Sequence, residues 1–406
     1  MKKLSLFILL TTVSLIFMSC KNYVTGVDPL VTAVDDSKLN TEAQIPFLTK
    51  GVETRFSFAV AQVDVCAAGL SDAFIFDTNV PNATYSQFAE IDAGEIQLNN
   101  NSVDNAYNPT GQFRFYSDDL IRRVNSISIT SATIKNNALF AGYFYGGYAR
   151  YLYATYFGLN PTEGGSPIDN SAFINSDQMY DLAIERFKES LNYPSDEFAS
   201  TDLETRTVNS IIARAYLYKG DYANAATYAA NGLVSGDAPF QALHNSNQDN
   251  YWWEQAGALR PQFCADFRFM DYIKADPNEA NRIKLDSIKG ANDIYYYFQV
   301  VYPEDVSPQN IMTWQENNLM RAELILRGFG TGDALALVNE VRASHNIAAL
   351  SSVDLDGIYT ERDKELFASG NRLADERRFN RWHLAAGTWE YLPVTQRERE
   401  GNPNIQ

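Results

Sequence analysis

Histidine and cysteine are the scarce residues of this 406-residue chain, with three of each. His244, His345 and His383 never cluster, which argues against a histidine-ligated zinc site or a histidine-dependent triad. Of the cysteines, Cys20 falls in an N-terminal leader, while Cys66 and Cys264 stand so far apart that spacing leaves their pairing open. Positive charge is also short: 33 Lys and Arg face 50 Asp and Glu, a net charge of -17. That balance argues against nucleic acid, whose phosphates it repels, and against a basic membrane-binding face. Acidity of this size serves solubility. No nucleophile motif, phosphate loop, dinucleotide fingerprint or metal-ligand spacing appears, so no cofactor or metal is expected. Beyond the leader, no stretch is apolar enough to cross a membrane.

The leader occupies residues 1–19. Lys2 and Lys3 precede an apolar run from Leu4 to Phe17, too short to span a bilayer comfortably. Met18-Ser19-Cys20 then resembles a bacterial lipoprotein cleavage site, with Cys20 as the lipidated first residue and Phe17 where Leu is usual. Residues 20–41 read as a polar tether. One domain, 42–406, follows, and its 45% apolar content supports a sizeable core.

The clearest signal is Thr205 to Leu233. Val208, Ile211, Ile212 and Ala215 recur on one helical face. Gly220 ends that helix, and Asp221 is placed to cap the next. The second helix carries Ala225, Ala226, Ala229 and Ala230, whose small side chains let a partner approach closely. This is the pattern of a tetratricopeptide helical hairpin, which needs neighbours to bury its faces. Further hairpins are expected near 133–191, with Ser176 capping its second helix, and near 314–343. A long helix is expected from Glu42 to Leu70 and another from Gln112 to Ile127. Thr360 with Asp363 resembles a capping box opening a helix at Glu361. The fold class is all-α with little strand.

Two segments break the helical period. Residues 71–109 are rich in Asn, Asp and aromatics, and 235–308 hold Tyr251, Trp252, Trp253 and the run Tyr295 to Tyr297. Both read as long loop-rich insertions, and irregular segments of that length usually carry function. The tyrosine run reads as a short strand with one face buried. Sugars present apolar C–H faces and a rim of hydroxyls, so a binder needs flat rings flanked by amides and carboxylates. The candidate ligand-binding residues are therefore Asn250, Tyr251, Trp252, Trp253, Tyr85, Tyr107 and Asn108. At least one of the two indoles is expected to be core instead. Arg321, Glu323, Arg342, Glu361, Glu365 and Arg372 lie at helical spacing and read as ion pairs that lock hairpins, not as catalysts.

Three C-terminal pieces carry a family resemblance: Met320-Arg321-Ala322-Glu323 through Asn339-Glu340-Val341-Arg342-Ala343; Glu361-Arg362, Glu365-Leu366, Gly370, Arg372, Asp375 and Arg378; and Leu392-Pro393-Val394 with Asn402-Pro403-Asn404-Ile405. After a lipoprotein leader and tetratricopeptide-like hairpins, the chain resembles the SusD/RagB family of Bacteroidetes nutrient-binding lipoproteins. It departs at Ser369, where the family usually has Glu, and in its shorter length. The resemblance implies an outer-membrane lipoprotein, anchored at the cell surface, that binds a glycan or other nutrient. It implies delivery to a SusC-like TonB-dependent transporter, with no bond broken. Two other readings remain. One is a tetratricopeptide adaptor for a protein partner. The other is a glycoside hydrolase, which needs two carboxylates about 5–10 Å apart across a cleft.

Overall fold

The computed structural model describes residues 35–405, so the leader and the Cys20 lipidation site lie outside the described residues. The helices are α1 (Ile45–Leu70), α2 (Ser86–Asp92), α3 (Asn101–Ser126), α4 (Ala132–Tyr156), α5 (Ser176–Ser190), α6 (Thr201–Lys219) and α7 (Tyr222–Ala229). They continue with α8 (Tyr251–Gln255), α9 (Phe267–Ala275), α10 (Trp314–Leu326), α11 (Ala334–Ser344), α12 (Leu355–Glu365), α13 (Arg372–Arg378) and α14 (Gln396–Gly401).

Helix α1 is the centre. From Ala59 to Leu70 every residue is buried, because all but Gln62 and Asp64 of the stretch are apolar or glycine. Helices α3 and α4 pack along it. The expected hairpins form as α4 with α5, α6 with α7, and α10 with α11. Glycine sets the spacing of α4. A Cβ on Gly142 would meet Ile121 of α3 at 2.6 Å, and one on Gly147 would meet Phe187 of α5 at 2.9 Å. At the α6–α7 corner Gly220 adopts φ +86°, and the Asp221 carboxylate accepts from the Asn224 amide, as the sequence implied.

The strands are short. A four-stranded antiparallel sheet joins β1 (Phe74–Ile75), β6 (Cys264–Ala265), β8 (Tyr295–Gln299) and β7 (Leu285–Lys289), in that spatial order. It therefore stitches the first insertion to the second. Tyr296 is buried and Tyr295 exposed, the alternation read from the tyrosine run. A second sheet has β2 (Phe157–Asn160), β3 (Glu163–Ser166), β4 (Ile174–Asn175) and β10 (Leu392–Pro393); β5 (Phe240–Ala242) pairs with β9 (Gln309–Met312).

Several local expectations are corrected. Segment 71–109 is not loop throughout: it holds β1 and α2, and from Asn101 it already belongs to α3. Pro109 inside α3 concealed this, since a proline usually ends a helix; here the carbonyl it leaves unpaired belongs to Asn105, an exposed residue. Thr360 and Asp363 form no capping box. Both sit inside α12, whose cap is Asp354, accepting from the Gly357 amide at 2.8 Å. Asn175 rather than Ser176 caps α5, and the Ser176 hydroxyl donates to the Ala154 carbonyl at 2.7 Å. The C-terminal tail contains β10 and α14 instead of being extended throughout. Cys66 and Cys264 are separate buried thiols.

The charged set does lock elements together, with partners the spacing did not give. Arg342 Nη1 reaches Glu361 at 2.6 Å, and Arg282 reaches both Glu361 at 2.8 Å and Glu365 at 3.3 Å. Glu323 is shared by Arg327 and Arg378, while Arg321 reaches the Asn318 amide oxygen instead of a carboxylate. Arg214 on α6 is also buried. It pairs with Glu316 of α10 at 3.2 Å and donates to the Ile311 carbonyl at 2.9 Å. Removing one partner from such a pair strands the other charge without water. Arg214→Met is expected to cost about 3–5 kcal/mol in chemical denaturation. Lys50→Ala, which breaks an exposed Lys50–Glu53 pair, is expected to change stability by less than about 1 kcal/mol. Equal losses would contradict the assignment.

Candidate ligand-binding face

The two insertions meet, and the contact is built on one buried amide. Gln262, with no exposed surface, accepts the backbone amides of Thr84 at 2.9 Å and Tyr85 at 3.0 Å through Oε1. Its Nε2 donates to the Asn82 carbonyl. Asn82 turns the chain at φ +74°, a conformation Asn tolerates better than most residues. A single side chain therefore replaces the backbone partners this turn lacks.

Tyr85 emerges from that turn 37% exposed. Its inner side stacks on Phe88 at 6.0 Å between ring centroids, and Phe88 packs on Phe263 at 4.7 Å. Phe263 in turn lies against α1 at Gly69, where a Cβ would clash. The Arg260 guanidinium also sits 4.5 Å from the Tyr85 ring centroid, close enough for a cation–π contact. Arg260 also approaches Glu254 at 3.6 Å, and Gln255 donates to the same carboxylate at 2.7 Å. Burial pushes the Glu254 carboxyl up, and Arg260 opposes this. Trp253 is half-buried beside Glu254, and Leu259 is exposed. The result is a partly exposed ring packed on the core, with a cation, a carboxylate and an amide beside it. That set can stack on a C–H face and exchange hydrogen bonds with hydroxyls.

The seven candidate residues divide. Tyr85 and Tyr251 come together on this face, Tyr251 mostly buried beneath it, while Trp253 is half-buried next to them in sequence. Trp252 is 0% exposed and packs on Phe74 at 5.4 Å and Tyr302 at 6.3 Å, so it is core. Adjacent residues on one helical turn point apart, which sends one indole in and the other out. Asn250 is also buried. It caps α8, accepting from the Trp252 amide at 2.9 Å and donating to the Ser307 carbonyl at 2.8 Å. Tyr107 and Asn108 do not join the others. They lie on α3, where the Tyr107 hydroxyl is buried against Ser166 at 2.8 Å and Asn108 lines a different groove. Glu254, Arg260 and Gln262 escaped sequence reading. Their one signal is Glu254 directly after the aromatics and the polar pair Arg260 and Gln262 flanking Pro261, and it is weak.

A tetratricopeptide-like helical scaffold bearing a small sheet and aromatic loops is a SusD-like fold. Among solved structures, a SusD superfamily protein from Bacteroides vulgatus superposes with a TM-score of 0.71 at 15% identity, covering 90% of this chain and 98% of that one. One from Bacteroides thetaiotaomicron gives 0.71 at 17% identity over 90% and 99%. Surface glycan-binding protein A from Bacteroides thetaiotaomicron gives 0.68 at 14% identity over 91% and 98%. No protein-family model and no curated protein sequence matches the chain.

Two measurements test the geometry. Gln262→Leu removes the bonds to the Thr84 and Tyr85 amides, worth about 1 kcal/mol each, so exchange of both amides is expected to rise at least about ten-fold while α1 stays protected. Unchanged exchange would show that the turn stands without Gln262. The second concerns Asp92, which accepts the Phe76 amide at 3.2 Å at the root of the same loop. Burial pushes its carboxyl up to about 6. A carboxyl raised in the folded state contributes stability fully below about pH 4 and loses it as pH rises through 6. Asp92→Asn is neutral throughout, so it is expected to gain on the wild type by on the order of 2 kcal/mol between pH 4 and pH 7. A constant difference across that range would refute the shift.

Proposed function

We propose that this chain is a cell-envelope glycan-binding protein that captures a carbohydrate on the Tyr85–Arg260 face and breaks no bond. The observation that carries the reading is the Tyr85 ring: partly exposed, backed by Phe88 and with a guanidinium beside it. An exposed aromatic ring so firmly held makes no sense as core and suits a ligand that stacks. The printed names of the structural neighbours, among them surface glycan-binding proteins from Bacteroides thetaiotaomicron and Bacteroides uniformis, support a carbohydrate as the ligand class. The sequence resemblance supports hand-over to a TonB-dependent transporter and an anchor through lipid on Cys20. No helix among the described residues is long and apolar enough to cross a membrane.

The test is retardation of the detergent-solubilised full chain in native gels cast with starch, xylan, mannan, galactan and mucin glycans. At least one is expected to retard it. Tyr85→Ala and Arg260→Ala are each expected to weaken that retardation about three- to thirty-fold, the range for a stacking or cation–π contact, with unchanged melting. Trp253→Ala is expected to weaken it too. Trp252→Ala is expected instead to lower stability by about 3–5 kcal/mol, because it empties a core site. Normal retardation of Tyr85→Ala and Arg260→Ala would overturn the reading.

A further inference from the structure

A groove remains that the Tyr85 face does not explain. It runs along the exposed side of α3 opposite α14 and encloses about 680 Å³. Phe115 is 54% exposed and Tyr116 is 43% exposed, with ring centroids 6.2 Å apart. Large rings left in water on a helix otherwise well packed call for an occupant. The sequence carries the same signal, since Phe113, Phe115 and Tyr116 cannot all face one side of a helix. Phe113 takes the core.

The floor of the groove is polar. Gly111 has no side chain, and a Cβ there would come within 3.1 Å of the Tyr153 hydroxyl. Tyr153 is only 3% exposed, and among the described residues nothing hydrogen-bonds to that hydroxyl. The neighbouring phenol of Tyr107 is satisfied by Ser166, so the lack belongs to Tyr153. Lining an open groove, the Tyr153 hydroxyl is free to donate to and accept from a ligand. The charges lining the groove balance. Arg114 is paired with Asp118 at 3.0 Å and with Asp169, while Arg397 and Glu398 stand on the far wall. Such a lining favours neither an anion nor a cation.

From these observations we infer that the α3–α14 groove is a second carbohydrate site, separate from the Tyr85 face, that takes a neutral sugar ring. Phe115 and Tyr116 supply stacking surface at its edge. The Tyr153 hydroxyl and the Asn108 amide supply hydrogen bonds at its base. The inference rests on the reading of the protein as a glycan binder. It assigns Asn108 a ligand role away from Tyr85, and it makes the chain bivalent for a polysaccharide that can bridge both sites.

The experiment is saturation-transfer NMR on the detergent-solubilised full chain with maltoheptaose, cellohexaose, xylohexaose, mannohexaose and hexagalacturonate. The starting protein carries Tyr85→Ala and Arg260→Ala, which silence the first face. At least one neutral oligosaccharide is expected to keep a transfer signal, with hexagalacturonate giving none stronger. Adding Phe115→Ala is expected to cut that signal at least five-fold. Gly111→Ala is expected to do the same while leaving melting unchanged or raised, because alanine favours the helix while obstructing the floor. A signal indifferent to both groove changes overturns the second site. So does the absence of any signal in the starting protein when the wild type gives one, and that outcome leaves the first face standing. A wild-type signal indifferent to Tyr85→Ala and Arg260→Ala but lost with Phe115→Ala overturns the first face and keeps the groove. Silence from the wild type with every oligosaccharide overturns both.

Discussion

The face proposed for the ligand hangs on one guanidinium. Arg268 lies on α9, within the second insertion, and its Nε and Nη2 each bond the Asp363 carboxylate of α12 at 2.9 Å. The same side chain reaches Asp72, just past the end of α1, at 2.9 Å, and Arg372 of α13 holds that carboxylate from another side at 2.6 Å. Burial works against the charge on Asp72, but Arg372 and Arg268 outweigh it and hold the carboxyl well below the usual range. Planar guanidinium forks suit this task because they fix direction as well as distance. Four separate parts of the chain thus converge on one charge cluster. The root of the Tyr85 loop leaves from it, and Gln262 fixes the tip. A face assembled from loops is held as firmly as one on helices.

Aromatic residues serve two purposes here, and burial separates them. Phe56, Phe113, Tyr145 and Tyr148 cluster around α1 with ring centroids 4.8 to 6.0 Å apart, filling the interior. Trp252 belongs to that group, packed between Phe74 and Tyr302. Tyr85, Phe115 and Tyr116 do not. Each is partly exposed, and each stands near polar groups that a hydroxyl-rich ligand can use. The acidity of the chain fits this division, since neither aromatic surface depends on net positive charge for its ligand.

The sequence was legible where structure is local. The α6–α7 hairpin followed from four apolar positions, a glycine and an aspartate, because helix faces and caps are set by residues within a few positions of each other. The core helix α1 was legible from its apolar run. The start of α3 was not, because Pro109 and the Asn-rich stretch imitate a loop; tertiary packing against α1 overrides that local bias. The site was half legible. Composition pointed to both insertions, and at least one of the two tryptophans was expected in the core without an indication of which. Gln262 and Arg260 were beyond reach, since their roles exist only once residues some 180 positions apart are side by side. Tyr107 was drawn toward the Tyr85 group by its composition and turned away by the helix that carries it.

The most direct measurement of the central claim is hydrogen–deuterium exchange of the full chain, with and without whichever oligosaccharide it binds. Slowed exchange is expected in residues 82–88 and 253–262 together, because the ligand spans the contact those two segments make through Gln262 and Arg260. Slowing confined to other segments, with both of these unchanged, would contradict the account.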